Sequence, residues 1–149
     1  MNDDNIAGFF LGGWYVFDNF APFPVEWRGK LYPTAEHAYQ AAHFIDKNPD
    51  LAEQVRQTLS PREASDFANL NSYQDDPAWK DKRLVIMEEL VRNKIEQHPY
   101  VKQILLESED KDIVEMNDDD AFWGWGQDHK GENNLGKIWM KLRSEIIVA

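Results

Sequence analysis

Cysteine is absent from the 149 residues, which removes disulfide scaffolds, thiolate zinc sites, thiol nucleophiles and CxxC redox chemistry and suits a reducing compartment. Positive charge is scarce. Against 16 Lys plus Arg stand 27 Asp plus Glu, a formal net charge of −11. Such a field repels polyanions, so a broad nucleic-acid surface is excluded; a small anionic ligand or one modified base can still enter a cleft where a few basic side chains prevail. Long apolar runs are missing as well. The acidic start Met1-Asn2-Asp3-Asp4-Asn5 and the breaks at Gly12, Gly13 and Asp18 leave neither a signal peptide nor a membrane span, and a cytoplasmic protein is expected. The chain also lacks HExxH spacing, GxGxxG, a P-loop and GxSxG, which sets aside zinc hydrolases, Rossmann enzymes, P-loop NTPases and serine hydrolases. Neither a metal nor a cofactor is expected.

What is present fits one domain over residues 1–149, mainly α and multihelical with a small β element near the N-terminus. Phe9, Phe10, Trp14, Tyr15, Phe17, Phe20, Phe23 and Trp27 crowd into a segment rich in turn formers, which predicts strands and loops. Within it, Val25-Glu26-Trp27 and Lys30-Leu31-Tyr32 flank Arg28-Gly29 as a small hairpin. After Pro33 the periodicity turns helical. Thr34 caps a first helix with Ala35, Ala38, Tyr39, Ala42 and Ile45 on the buried stripe and Glu36, Gln40, His43 and Lys47 on the other face. A second helix follows Asn48-Pro49-Asp50 and buries Leu51, Val55 and Leu59. Ser60-Pro61-Arg62-Glu63 starts a third, running to about Leu70, with an N-cap, a first-turn proline and a capping-box glutamate. Asn71 to Gln74 forms a loop. A long helix after Asp76-Pro77 carries Leu84, Met87, Leu90, Val91 and Ile95 on its apolar face, with Lys94 beside it. His98-Pro99 opens a shorter helix through Val101, Ile104 and Leu105, Ile113-Val114 is briefly extended, and a last helix begins near Asn133 or Asn134 with Leu135, Ile138, Trp139, Leu142 and Ile146 inward.

Several residues stand out chemically, each with two readings. Glu36 lies in a first helical turn, where the macrodipole keeps a carboxylate ionised; it serves either as base or cation stabiliser, or as dipole compensation alone. His37 is a ligand contact or a satisfied structural histidine. The loop from Ala121 to Gly131 joins Phe122, Trp123 and Trp125 to Gly124, Gly126 and Gly131, as a ligand-binding loop or as one whose tryptophans cap the core. Glu115 and Asp118-Asp119-Asp120 precede it, but Phe122 and Trp123 occupy positions where an EF-hand needs a ligand and a glycine, so calcium is not indicated. Asp120, abutting the aromatic loop, is the acidic residue singled out. Trp79 seals the core or faces a cleft. Lys94, at the edge of an apolar stripe, is a desolvated amine nucleophile or a snorkelling side chain.

Taken in order, Asp18-Asn19-Phe20, the run from Tyr32 through Glu36, His37 and Gln40 to Ala41, Trp79, Lys94 with Gln97, Glu115, the run from Asp120 to Gly124, then Gly126, Gly131, Asn133, Leu135-Gly136, Met140 and Arg143 resemble the NADAR family. The resemblance spans about Phe9 to Ile146. It implies a compact, mainly helical, YbiA-like fold and a metal-independent hydrolase cleaving N-glycosidic bonds at a ribose C1′. Two substrate classes come with it: ribosylamine intermediates of riboflavin synthesis, and ADP-ribose attached to guanine. Family residues map onto Glu36, Trp79, Lys94, Asp120 and Asn133. A family Ser-Asn-Phe stands here as Asp18-Asn19-Phe20, a lysine before Phe44 is His43, and a Gly-Arg pair is Ala68-Asn69, which removes two phosphate contacts.

Breaking a ribose C–N bond develops a cation on the sugar and negative charge on the departing base, so a carboxylate near C1′ and a proton donor are needed. The expected catalytic set is Glu36 on the sugar side, Asp120 orienting water or a ribose hydroxyl, and Lys94 as an alternative nucleophile forming a Schiff base with the opened C1′ aldehyde. Expected substrate contacts are Asn19, Phe20, Arg28, His37, Gln40, Trp79, Trp123, Gly124, Gly126 and Asn133. The rival of another class is a non-catalytic ADP-ribose or NAD-binding module.

Overall fold

The computed structural model describes residues 5–148. By compactness the chain divides into two units. One runs without interruption over Asn19–Gln97; the other joins the described residues up to Asp18 with those from His98 onward.

The Asn19–Gln97 unit opens with the hairpin, strands β1 (Val25–Trp27) and β2 (Lys30–Tyr32). They are antiparallel with Trp27 opposite Lys30, and the two turn residues Arg28 and Gly29 have φ of 49° and 80°. Positive φ at both central positions is what a two-residue turn needs to match strand twist, and the glycine supplies half of it without strain. Val25, Trp27 and Tyr32 point inward. The outer backbone of Glu26 is clamped by Gln97, whose Oε1 accepts from Glu26 N at 2.7 Å and whose Nε2 donates to Glu26 O at 2.8 Å.

Helix α1 (Ala35–Ala42) starts where expected, with Thr34 Oγ1 accepting from His37 N at 3.1 Å. It contacts α2 (Pro49–Arg56), α3 (Pro61–Leu70) and α4 (Trp79–Gln97). With neighbours on so many sides all eight of its residues are buried, Glu36, His37 and Gln40 included. The expectation of one buried stripe and one polar face is therefore corrected. The helix also stops before Ile45, and Phe44 takes the core position instead.

In α2, Leu51 and Val55 are buried, but Leu59 lies beyond the helix end and is 92% exposed. The start of α3 carries its cap, Ser60 Oγ accepting from Glu63 N at 3.1 Å, while Glu63 Oε2 reaches back to Leu59 N at 3.0 Å. The loop after α3 holds a 3₁₀ turn over Ser72–Gln74. On α4 the inward face is Ile86, Met87, Leu90, Val91, Lys94 and Ile95; Leu84, expected there, is exposed.

The other unit holds a pairing absent from the sequence reading. Ile6–Gly8 (β3 in this unit) lies parallel to Asp112–Val114 (β4), with Ala7 opposite Ile113. Gly12–Phe17, expected as strand and loop, is a 3₁₀ helix that packs on α5 (Pro99–Glu107). Helix α6 (Asn134–Val148) packs on α5 and β4, burying Leu135, Ile138, Trp139 and Leu142. Trp139 Nε1 donates to Phe17 O at 3.1 Å, and buried Arg143 donates to Ser108 Oγ and Lys111 O, both at 2.9 Å. Among the described residues no helix is long and apolar enough to cross a membrane.

Candidate functional site

The chemistry-bearing residues of the Asn19–Gln97 unit gather at the start of α1 and along the inward face of α4. Glu36 N donates to Asn19 O at 3.1 Å, which ties the first turn of α1 to the chain just before the hairpin. Gln40, one turn further on, donates from Nε2 to Glu36 Oε1 at 2.7 Å, with both side chains buried. Only the amide nitrogen can donate to a carboxylate, so this contact fixes which way the Gln40 amide points. Glu36 thus places its carboxyl among buried groups, addressed by an amide N–H and set in the first turn of its helix, and both features favour the charged form. Asn19 is buried too; its Nδ2 meets Met87 Sδ at 3.5 Å, and its Oδ1 is enclosed without a hydrogen-bond partner.

Lys94 is more enclosed than expected. It is 0% exposed, with Nζ 5.5 Å from the centre of the Phe23 ring, so snorkelling is replaced by a cation–π contact inside the unit. Trp79, the first residue of α4, is 7% exposed and has His43 stacked on one face at 4.0 Å, with Tyr39 tilted against it at 5.3 Å. One of its two faces is therefore covered by protein. His43 Nδ1 lies 3.3 Å from Asp75 Oδ2. Burial pushes the His43 imidazole down while the Asp75 carboxylate pulls it back up. Sequence reasoning singled out His43 as a departure from the family pattern but missed its stacking on Trp79, because contacts between helices leave no local signal.

His37 takes the second of its two readings. Its Nδ1 is 2.8 Å from Thr34 Oγ1 and its Nε2 is 3.1 Å from Thr58 O. A carbonyl only accepts, so Nε2 carries the proton and Nδ1 accepts from the threonine hydroxyl. Neither ring nitrogen is left for a ligand, which corrects the expected substrate contact; burial holds this imidazole below its ordinary pKa. Arg28 sits on the hairpin turn, half-exposed, with its guanidinium 4.4 Å over the Trp27 ring and 3.9 Å from Glu89. Phe20 is partly exposed.

In the other unit, Asp120, Trp123, Gly124, Gly126 and Asn133 belong to one tightly folded loop. Asp120 Oδ1 accepts from the N–H groups of Phe122 at 3.0 Å and Trp123 at 2.8 Å. Gly124 N donates to Asp120 O at 3.1 Å, and Asn133 N donates to Gly124 O at 2.9 Å. The glycines serve close approach of the loop to itself: a Cβ on Gly124 would stand 2.8 Å from Glu115 O, and one on Gly131 would stand 2.7 Å from Gly124 O. Asn133 spans the loop base, its Oδ1 accepting from Glu115 N at 3.0 Å and its Nδ2 donating to Ile113 O at 2.9 Å. Its amide fastens α6 to β4, a task the expected substrate contact did not anticipate. Trp123 is buried with its ring edge-on to Phe122 at 4.8 Å. At the loop surface Trp125 stacks on His129 at 3.7 Å, and both address Asp118 Oδ1, at 2.9 and 3.2 Å.

Among the described residues no three or more His, Asp or Glu side chains converge as metal ligands. Two cavities of about 320 and 350 Å³ flank the end of α2, sharing Gln57 and Thr58. None of the expected site residues lines either one.

The NADAR domain model matches residues 4–147. The N-glycosidase YbiA of Escherichia coli is 34% identical over 132 residues, covering 89% of this chain and 81% of that protein. An N-glycosidase of Nostoc punctiforme is 32% identical over 87% of this chain and 84% of its own length. A riboflavin biosynthesis protein of Vibrio vulnificus is 34% identical over 86% of this chain, which matches 34% of that longer protein. The NMR structure of Escherichia coli YbiA superimposes with a TM-score of 0.85 at 33% identity, covering 97% of this chain and 86% of that one.

Proposed function

The chain belongs to the NADAR family, and from that premise we propose that it is a hydrolase of N-glycosidic bonds, cleaving the C1′–N bond of an ADP-ribosyl adduct such as ADP-ribosylated guanine or of a related phosphoribosyl compound. Residues 1–149 are proposed to work as one functional domain, since the family match runs through both units. The carrying observation is Glu36: a carboxylate in the first turn of α1, buried, and addressed by an amide N–H.

In the reaction the C1′–N electron pair leaves with the base nitrogen, positive charge grows on C1′ and the ring oxygen, and water oxygen bonds to C1′. The nitrogen takes up a proton and the water loses one. Glu36 faces the developing cation and accepts the water proton. Asp120, expected from the family resemblance to orient water or a hydroxyl, has its Oδ1 holding two loop amides, which gives it a part in shaping the loop. Trp79 offers at most its face away from His43. Helix N-termini, Arg28 and Lys130 are proposed to meet phosphates.

A second route is favoured by the complete burial of Lys94. Its neutral amine adds to C1′ of the ring-opened adduct, the C1′–N electron pair leaves with the base nitrogen, which takes up a proton, and the resulting Lys94 imine at C1′ is hydrolysed by water to return the amine and the sugar aldehyde. The riboflavin-pathway ribosylamine phosphate is the alternative substrate, and a binding module for ADP-ribose is the alternative without chemistry.

The test presents the purified protein with an oligonucleotide bearing ADP-ribosylated guanine and, separately, with the aminopyrimidine ribosylamine phosphate. Release of free ADP-ribose from the first, lost in Glu36→Gln, is the expected result. Turnover of the second alone moves the substrate to the riboflavin class, and ADP-ribose binding by calorimetry with turnover of neither makes the protein a binding module. Borohydride added during turnover leaves a permanent adduct on Lys94 only if the imine route operates.

A further inference from the structure

We propose that Gln40 is the positioning residue for Glu36: it does not touch substrate but holds the carboxylate in one rotamer and keeps it charged. The inference rests on the reading of Glu36 as the reaction's carboxylate. Gln40 was expected as a substrate contact, yet the donating end of its amide is committed to Glu36 Oε1 at 2.7 Å. Both side chains lie inside the unit, so water does not compete for the bond. A spacing of four residues places them one above the other on the helix, where such a pair meets without distorting the backbone.

Glu36 also has its own amide bound to Asn19 O at 3.1 Å, which fixes its backbone. A glutamate has three rotatable side-chain bonds, and a donor at one carboxylate oxygen removes most of that freedom. The catalytic consequence is that the anion waits in place while charge develops on the sugar, rather than reorganising during the step. The electrostatic consequence has the same sign, because a hydrogen bond made to the charged form favours that form. Other titratable groups on α1 and the elements packed on it include His37, bound to Thr34 and Thr58; His43, beside Asp75; Glu53 and Arg56, paired on α2; Glu63, capping α3; and Lys94, buried on α4. None is altered in the variants below.

Gln40→Leu removes the donor at similar size, and Gln40→Lys restores a donor with a charge. The Glu36 carboxyl carbon is followed by ¹³C NMR across pH in the full chain, assigned by its absence in Glu36→Gln, and kcat and KM are measured on whichever of the two substrates above is turned over. The expected result is a Glu36 titration shifted up by about one unit or more in Gln40→Leu, kcat reduced about tenfold or more with KM nearly unchanged, and both restored toward the parent in Gln40→Lys. A purely structural glutamine would move neither the titration nor the kcat-to-KM split in this opposed way. If Gln40→Leu does not fold, Gln40→Met, which also lacks a donor, takes its place. An unmoved titration in the folded variant overturns the proposal, and so does a moved titration with unchanged kcat. Full activity in Glu36→Gln instead overturns the assignment of Glu36, and the titration then reports the Gln40–Glu36 bond separately from it.

Discussion

The start of α1 and the loop from Asp120 to Asn133 both carry the residues that resemble the family, yet they use their polar groups in opposite ways. At α1 a carboxyl group is buried and addressed by Gln40, in the same unit as the enclosed side chain of Lys94. In the loop, Asp120, Asn133 and Asp118 are bound to the loop's own amides, to β4 and to the Trp125–His129 stack. The carboxyl at α1 stands at a buried helix N-terminus, and that placement is what points to chemistry there. Self-satisfied polar groups point to a rigid frame.

The sharpest way to break that contrast is at Glu36. Glu36→Gln keeps the shape and the contact with Gln40 but removes the charge, and turnover is expected to fall by about 10²- to 10⁴-fold with the fold retained by circular dichroism. The frame reading is tested by Gly136→Ala. Its Cβ would stand 2.1 Å from Ile113 O, a backbone atom that cannot swing aside, and a loss on the order of 3 kcal/mol is expected in chemical denaturation. Asn133→Ala comes next, at about 2 kcal/mol, because it strands Glu115 N and Ile113 O at the loop base. If Asn133→Ala leaves stability intact but abolishes ligand binding, the loop residue is a ligand contact after all and the contrast between the two regions falls.

Which parts were legible follows from how local each cause is. The Arg28-Gly29 turn and the Ser60 cap are set by residues within four positions of one another, and both are found. Helix faces were legible in part, since periodicity gives a direction but not a depth: Met87, Leu90 and Val91 are inward as expected, whereas Leu84 and Leu59 face solvent and Lys94 is enclosed. Ile6–Gly8 pairs with Asp112–Val114 across most of the chain, and three-residue parallel strands carry too little alternation to announce themselves. At the site, the first-turn position of Glu36 was legible, whereas its proposed role came from the family resemblance. The bond from Gln40 was missed because a glutamine four residues on is equally suited to a ligand.

The smallest expected effect concerns His37 and distinguishes a structural histidine within α1 from a working one. Burial lowers its folded-state pKa below the unfolded value near 6.5, with the Thr58 carbonyl and Glu63 pulling the other way. The folded protein thus prefers the neutral ring. As pH falls below about 6.5 the unfolded chain takes up the proton first, so the contribution to stability, complete above that value, is lost progressively toward the folded pKa. His37→Gln cannot protonate but can still donate to Thr58 O. It should flatten the decline of unfolding free energy below about pH 6.5, by no more than one proton's share, about 1.4 kcal/mol per pH unit. His43 is shifted in the same direction and contributes a slope of the same sign, so some decline remains in the variant. The pH profile of kcat should keep its shape, because both His37 ring nitrogens are bound within the protein and a ring in that position has no proton to offer a substrate. A change in that profile would return His37 to the substrate-contact reading.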